Sequence, residues 1–180
     1  MDNPLSYLNY SKFMQDAIIA ALNTKAFPNP KVAAVLTDNK GNIKSTGVHH
    51  GPGTNHAEID LLTKTTIDTD DVLYVTLEPC FHADSSPSCA VELLNTSLKN
   101  IVIGDKDVDP RTNGKSIDLF KNKGLNIQFE YNANNLINPH YLNQKINDNS
   151  NTIIGKIASS QNNYIYNDQT EDKYISNDIS

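Results

Sequence analysis

Four residues of this chain could carry out metal-assisted chemistry together: His56, Glu58, Cys80 and Cys89. Two thiolates and one imidazole supply three corners of a zinc tetrahedron, and three protein ligands leave the fourth corner open to water. Glu58 follows His56 by two positions and is not needed as a ligand, so its carboxylate is free to move protons. Cys80 and Cys89 are the only cysteines in the chain. A structural disulfide is their competing use. A reducing cytosol argues against it, and the accompanying His-x-Glu favours metal.

The elements that must position these side chains can be read on either side of them. Ser11 to Asn23 has apolar residues at helical spacing (Phe13, Met14, Ala17, Ile18, Ala21 and Leu22), with Ser11 placed to cap its start. Phe27-Pro28-Asn29-Pro30 breaks that helix. Val32 to Leu36 then reads as a buried strand, and Asp38-Asn39-Lys40-Gly41 as the turn into a second hairpin arm, Asn42 to Val48. A second helix is expected to open at Thr54 or Asn55 and to carry His56 to Lys64. Asn55 to Glu58 also fits a capping box, with Glu58 reaching back to the Asn55 amide. At an i, i+2 spacing, His56 and Glu58 lie on different sides of an ideal helix, so a metal they share should sit at its N-terminus.

Val72 to Leu77 is rich in β-branched and aromatic residues and reads as a central strand delivering Glu78-Pro79-Cys80 to the sheet's C-terminal edge. Ser88 can cap a helix from Cys89 to Leu98 that buries Val91, Leu94 and Leu98. Ile101 to Gly104 is a further strand, Ser116 to Lys123 a helix closed by Gly124, and Leu125 to Phe129 a last strand. This order predicts an α/β sandwich. Asn132 to Ile146 reads as a helix broken at Pro139, Asp148 to Asn151 as a linker and Ile153 to Ala158 as a strand, with little to bury after Gln161.

At 180 residues the chain can bury a core of its own. Its formal charge of −6 lacks the basic footprint of a nucleic-acid binder. Apolar runs such as Ala17 to Leu22 are too short to span a bilayer, and Met1-Asp2-Asn3-Pro4 lacks the regions of a signal peptide. The expected location is the cytoplasm.

His-x-Glu followed by Pro-Cys and a second Cys resembles the zinc-dependent base deaminases. Within them, four stretches resemble the deaminase half of the bifunctional riboflavin-biosynthesis deaminase/reductase family. Pro28 to Val35 resembles its Pro-Asn-Pro-x-Val-Gly-x-Val opening. His56-Ala57-Glu58 and Leu77 to His82 follow, with Ser86-Pro87-Ser88-Cys89 in place of Thr-Pro-Pro-Cys. Asp107 to Lys115 resembles its Asp-Pro-Asn-Pro-x-Val-x-Gly-Lys loop. The narrower signal is the cysteine spacing. Eight residues, 81 to 88, separate Cys80 from Cys89, where related base deaminases keep about two.

The resemblance implies a cytidine-deaminase-like fold, an α/β three-layer sandwich with a mixed five-stranded sheet, and one Zn2+ per chain on His56 Nδ1, Cys80 and Cys89. It implies that Glu58 is the acid/base in hydrolytic deamination of a diamino-ribosylaminopyrimidinone 5′-phosphate, with Asn29, His49 and His82 holding the substrate. It also implies a homodimer. Ala83-Asp84-Ser85 departs from the Gly-Lys/Arg of the family and places a carboxylate where a cation would meet phosphate; Ala33 replaces a Gly. Gly155 to Ser160 and Tyr174-Ile175-Ser176 resemble the start of the reductase domain, so residues 1–148 are read as the deaminase domain and 149–180 as linker and truncated reductase-like start. No NADP site is expected. Either a separate reductase protein is a partner, or the chain is a piece of a longer one, or the gene has decayed. Two other readings stay open: a zinc deaminase of another, unphosphorylated pyrimidine or purine, and a non-catalytic zinc module.

Overall fold

The structure is a computed structural model that describes residues 10–82, 88–139 and 141. Helix α1 is Lys12–Leu22, capped by the Ser11 hydroxyl, which accepts from Met14 N at 3.3 Å. Strands β1 (Ala33–Thr37) and β2 (Ile43–Val48) form the expected hairpin. Its turn is closed by Asp38, whose carboxylate accepts from the Lys40 and Asn42 amides. Gly41 supplies the left-handed conformation there, at φ +79°. Helix α2 (Ala57–Leu62), strand β3 (Val72–Val75), helix α3 (Cys89–Leu94), strand β4 (Asn100–Ile103), helix α4 (Lys115–Asn122), strand β5 (Asn126–Phe129) and helix α5 (Ala133–Ile137) follow.

The sheet runs β2-β1-β3-β4-β5. β1 is antiparallel to both β2 and β3, and β3, β4 and β5 are mutually parallel. This is the mixed five-stranded sheet expected from the sequence, with β3 in the middle. Alternation along each strand divides the core in two, because successive side chains leave opposite faces. Leu36, Leu73, Ile101 and Ile103 pack on one face with Leu61, Leu93 and Phe120 of α2, α3 and α4. Val35 and Val102 pack on the other with Met14, Ile18 and Ile137 of α1 and α5. The result is helix, sheet, helix: three layers.

Helix α2, which sets the site, lies close on β2 because Gly47 has no side chain. A Cβ there would fall 2.1 Å from the Ala57 carbonyl oxygen and 2.6 Å from Leu61 N. Both are backbone atoms and cannot swing aside. Gly47→Ala should therefore cost about 1–3 kcal/mol of stability, seen as a lower denaturation midpoint at unchanged slope. An unchanged midpoint would mean that α2 is free to slide.

Three expectations are corrected by the structure. Helix α2 begins at Ala57 rather than Thr54 or Asn55, and no capping box forms: His56 is the N-cap, with extended backbone and no side-chain cap bond. The Asn55 carbonyl is held instead by the His49 ring. In α3 the buried face is Cys89, Ala90 and Leu93, while Val91 is exposed. A helix of six residues is too short for apolar spacing to fix its phase. Leu22, placed on the apolar face of α1, is 42% exposed at the last turn. The second half of the broken helix (His140 and 142–146), the linker, the strand Ile153 to Ala158, residues 149–180 and Ala83-Asp84-Ser85 lie outside the described residues.

Candidate active site

The parallel strand β3 ends at Val75, and the chain turns across the sheet edge through Thr76 to Cys80. Two contacts fix this turn: Thr76 N donates to Ala33 O at 3.1 Å and Glu78 N to Asp105 O at 2.8 Å. Cys80 is thereby held against the start of α3. The Ala90 amide donates to the Cys80 carbonyl at 3.2 Å, and the Cys89 amide to Cys80 Sγ at 3.3 Å. His56 comes from the opposite side. Because it precedes α2 in extended conformation, its ring turns toward the cysteines while Glu58, in the first turn, is buried at 3% exposure.

His56 Nδ1 lies 3.5 Å from Cys80 Sγ and 3.4 Å from Cys89 Sγ. The three ligand atoms all fall within 4.8 Å of one another. Zinc bonds of about 2.3 Å to sulfur and about 2.0 Å to nitrogen, at tetrahedral angles, require nitrogen–sulfur edges near ~3.5 Å. The donor set therefore fits zinc in both chemistry and spacing, with Nδ1 as the nitrogen that faces the sulfurs.

The three donor groups and Glu58 perturb one another's ionisation. The Cys80 thiol is pulled well below its usual range by the hydrogen bond from the Cys89 thiol, with further help from His56 and the Cys89 amide. Cys89 is pushed up by that same bond to Cys80, by burial and by the Glu58 carboxylate. Glu58 is raised to about 7, chiefly by burial and secondarily by the negative charge on Cys80. Its own backbone amide, the His56 ring and Cys89 act in the opposite direction and favour the carboxylate. A carboxylate poised near neutrality beside a metal-ligand cluster is suited to accept and return protons.

Asn29 and His49 belong to the same constellation. His49 Nδ1 faces the Asn55 carbonyl at 3.0 Å and so carries the ring proton, which leaves Nε2 to accept from the Asn29 amide at 3.0 Å. Burial lowers the His49 pKa, disfavouring the charged ring. Its edge packs against His56, with ring centroids 5.1 Å apart at 77°. Both nitrogens of His49 are thus engaged inside the protein, and it could reach a ligand only by giving up one of these bonds. Asn29 also lines a cavity of about 100 Å3 with Lys31, Asn138 and Tyr141. The Tyr141 hydroxyl donates to Asp107 at 2.7 Å. His82 is held by a different group, Thr112, whose hydroxyl lies 3.1 Å from Nδ1.

Glu78 is a residue whose importance the sequence reading missed. Buried at 3% exposure, its Oε2 accepts from Asp107 N at 3.2 Å and Gly114 N at 3.0 Å, and its Oε1 from the Ser116 hydroxyl at 3.0 Å. One carboxylate thus ties the end of β3 to the loop before α4. The available signal was a charged residue placed between an apolar strand and Pro79, because a charge carried into a sheet must find partners. Glu78→Gln turns one acceptor into a donor facing N–H or O–H groups. It should lose roughly 1.5–3 kcal/mol; a denaturation midpoint equal to the parent's would remove Glu78 from this role.

Residues 8–105 match the family described as the cytidine and deoxycytidylate deaminase zinc-binding region. A diaminohydroxyphosphoribosylamino-pyrimidine deaminase of Buchnera aphidicola from Schizaphis graminum is 34% identical over 102 residues, 56% of this chain and 69% of that protein. The riboflavin biosynthesis protein RibD of Aquifex aeolicus is 32% identical over 118 residues, 64% of this chain and 33% of that one. The solved structure of Acinetobacter baumannii RibD, form 1, superposes with a TM-score of 0.67 at 28% identity, over 74% of this chain and 38% of that chain. The chain thus spans about a third of the RibD relatives' length.

Proposed function

Because the chain belongs to the cytidine and deoxycytidylate deaminase zinc-binding family, in the branch of diaminohydroxyphosphoribosylamino-pyrimidine deaminases, we propose that it hydrolyses the amino group from a diamino-ribosylaminopyrimidinone 5′-phosphate. The products are the corresponding aminouracil and ammonia, a step of riboflavin biosynthesis. The single observation that carries the reading is the buried Glu58 carboxyl beside the His56–Cys80–Cys89 cluster. The activity is assigned to residues 1–148. Among the described residues, no helix is long and apolar enough to cross a membrane.

His56, Cys80 and Cys89 would hold one zinc ion. When bound, it supplies the Lewis acidity that brings the pKa of a water toward neutrality. Glu58 takes a proton from the attacking water as its oxygen bonds to the amidine-like ring carbon. The same carboxyl delivers that proton to the ring nitrogen, then takes a second from the hydroxyl formed on the ring carbon and delivers it to the departing amine. The carbon–nitrogen bond breaks, ammonia leaves and the ring keeps a carbonyl, so water and substrate balance ammonia and product. Asn29 and His82 contact the substrate, with His49 holding the Asn29 amide and the His56 ring in place. The partners in this reading are the pyrimidine ribose phosphate, a second copy of the chain and a separate reductase protein.

A substrate panel tests the reading: the diaminopyrimidine ribose phosphate, its dephosphorylated form, deoxycytidylate and cytosine, each scored for ammonia release by zinc-loaded protein. The phosphorylated diaminopyrimidine should be preferred. Equal or better turnover of an unphosphorylated base would reassign the substrate, and no release from any would leave a metal site without this activity.

A further inference from the structure

Asn138 ends helix α5 and is buried at 6% exposure. Its carboxamide grips a residue far away in the chain. Lys31 N donates to Asn138 Oδ1 at 2.7 Å, while Asn138 Nδ2 donates to Lys31 O at 2.8 Å and to Asn134 Oδ1 at 2.7 Å. The Lys31 amide can only donate, which fixes the orientation of the Asn138 carboxamide. Its oxygen faces Lys31 N, and both Nδ2 hydrogens are then used on oxygens. One side chain thus holds both backbone groups of Lys31, as a neighbouring strand would.

Lys31 is where the turn before β1 can be gripped. Pro28 and Pro30 have no N–H, so the Lys31 amide is the first after Asn29 that can be bonded. Asn29 itself is tied by its amide to Ala26 O at 2.9 Å and by Nδ2 to His49 Nε2 at 3.0 Å. Among the described residues, its Oδ1 and second Nδ2 hydrogen carry no protein partner. Asn29 and Asn138 line the same cavity of about 100 Å3. The far end of the device is anchored as well. Asn134 N donates to Asp105 Oδ2 at 2.7 Å, and Asp105 O accepts from Glu78 N at 2.8 Å, two residues before Cys80. A run of hydrogen bonds therefore joins the turn that carries Asn29 to the turn that carries Cys80.

We infer that Asn138 is a positioning residue: by holding both backbone groups of Lys31 it fixes the 28–31 turn, so that Asn29 presents an amide oxygen and one N–H to the bound pyrimidine ribose phosphate. The identity of that ligand rests on the function proposed above; the grip on Lys31 does not.

The experiment compares zinc-loaded parent, Asn138→Ala, Asn29→Ala and the double variant, by ammonia-release kinetics and by amide hydrogen exchange followed by NMR. Asn138→Ala should speed exchange at the Lys31 amide by roughly three- to tenfold and raise KM by a similar factor, each the effect of one neutral hydrogen bond. In that variant kcat should stay within about twofold and zinc at one per chain. Asn29→Ala should raise KM by itself. In the double variant KM should match that of Asn29→Ala within about twofold, because a residue that acts through Asn29 has nothing left to position. A merely structural Asn138 would raise KM by the same factor in both backgrounds. Should Asn138→Ala fail to fold, Asn134→Ala carries the same comparisons. It keeps both Lys31 bonds but removes the oxygen that steadies them, so smaller changes in the same directions are expected. KM effects that multiply, an Asn29→Ala protein with parental KM, or equal Lys31 exchange in parent and Asn138→Ala would each overturn the inference. If the parent releases no ammonia, the deaminase reading fails, while the Asn29 side-chain amide signals still decide the device. They should move in Asn138→Ala; unmoved signals would overturn it.

Discussion

Glu58→Gln should bind one zinc per chain, fold as well as the parent and lose roughly 10³–10⁴ in kcat, the upper part of the range for general acid–base catalysis. The magnitude follows from the number of proton transfers that this one carboxyl must serve. Water gives up two protons in turn, one for the ring nitrogen and one for the leaving amine. With Glu58 buried at 3% exposure and its carboxyl raised to about 7 by burial, no bulk solvent stands ready to replace it. Gln has nearly the same shape and carries no charge, so it also removes the cost of holding a carboxylate in that position. Zinc content by atomic absorption, a denaturation curve and single-turnover ammonia release distinguish the cases. Normal turnover in this variant would mean that the acid/base is another group.

Removal of the metal should have the second large effect. Exhaustive chelation should abolish turnover and lower the denaturation midpoint, with zinc restoring both. A ligand present at about a thousand times its dissociation constant contributes about 4 kcal/mol to the folded state, and that is the stability at stake. Cys89→Ala should reproduce the loss irreversibly. Zinc affinity should also depend on pH in a defined direction. In the metal-free cluster Cys89 holds its proton, because its bond to Cys80 and burial raise its pKa. Zinc requires the thiolate, so binding expels that proton. Lower pH therefore favours the metal-free form, and affinity should fall by about tenfold per pH unit for each proton released. Affinity independent of pH between 6 and 8, as a trial range of ~2 units, would mean that both thiols are already ionised in the free protein.

The parts of the site legible in the sequence were those whose residue types are chemically rare. His56, Cys80 and Cys89 are soft or borderline donors with few other uses in company, and the structure brings His56 Nδ1 within 3.5 Å of both sulfurs. The sheet was legible for a similar reason: Val32 to Leu36 and Val72 to Leu77 are too apolar to lie anywhere but in the core, and the Asp38 to Gly41 turn sets the hairpin. The phase of short elements was not legible. In α3, Val91 and Leu93 are equally apolar, and only the pull of Cys89 into the cluster and of Ala90 against the Cys80 carbonyl decides which one is buried. The start of α2 was misread because Asn55 is a good capping residue, yet its carbonyl is claimed by His49 six positions earlier.

Long-range polar contacts were hidden altogether. Glu78 meets Asp107, Gly114 and Ser116, and Thr112 meets Phe81 and His82. Nothing in a single sequence announces such pairs, because each joins residues about thirty or more positions apart with no shared periodicity. Gly47 is a similar case. Its lack of a side chain matters only because α2 crosses it at backbone contact distance.

The measurement that bears most directly on the central claim is turnover of the diaminopyrimidine ribose phosphate in H2(18)O by zinc-loaded protein, with ammonia and product mass followed together. The account predicts one ammonia released for each product formed, and one 18O atom in the new ring carbonyl. Protein carrying one zinc per chain that releases no ammonia, or that releases it without placing label in the ring, would contradict hydrolytic deamination at this site.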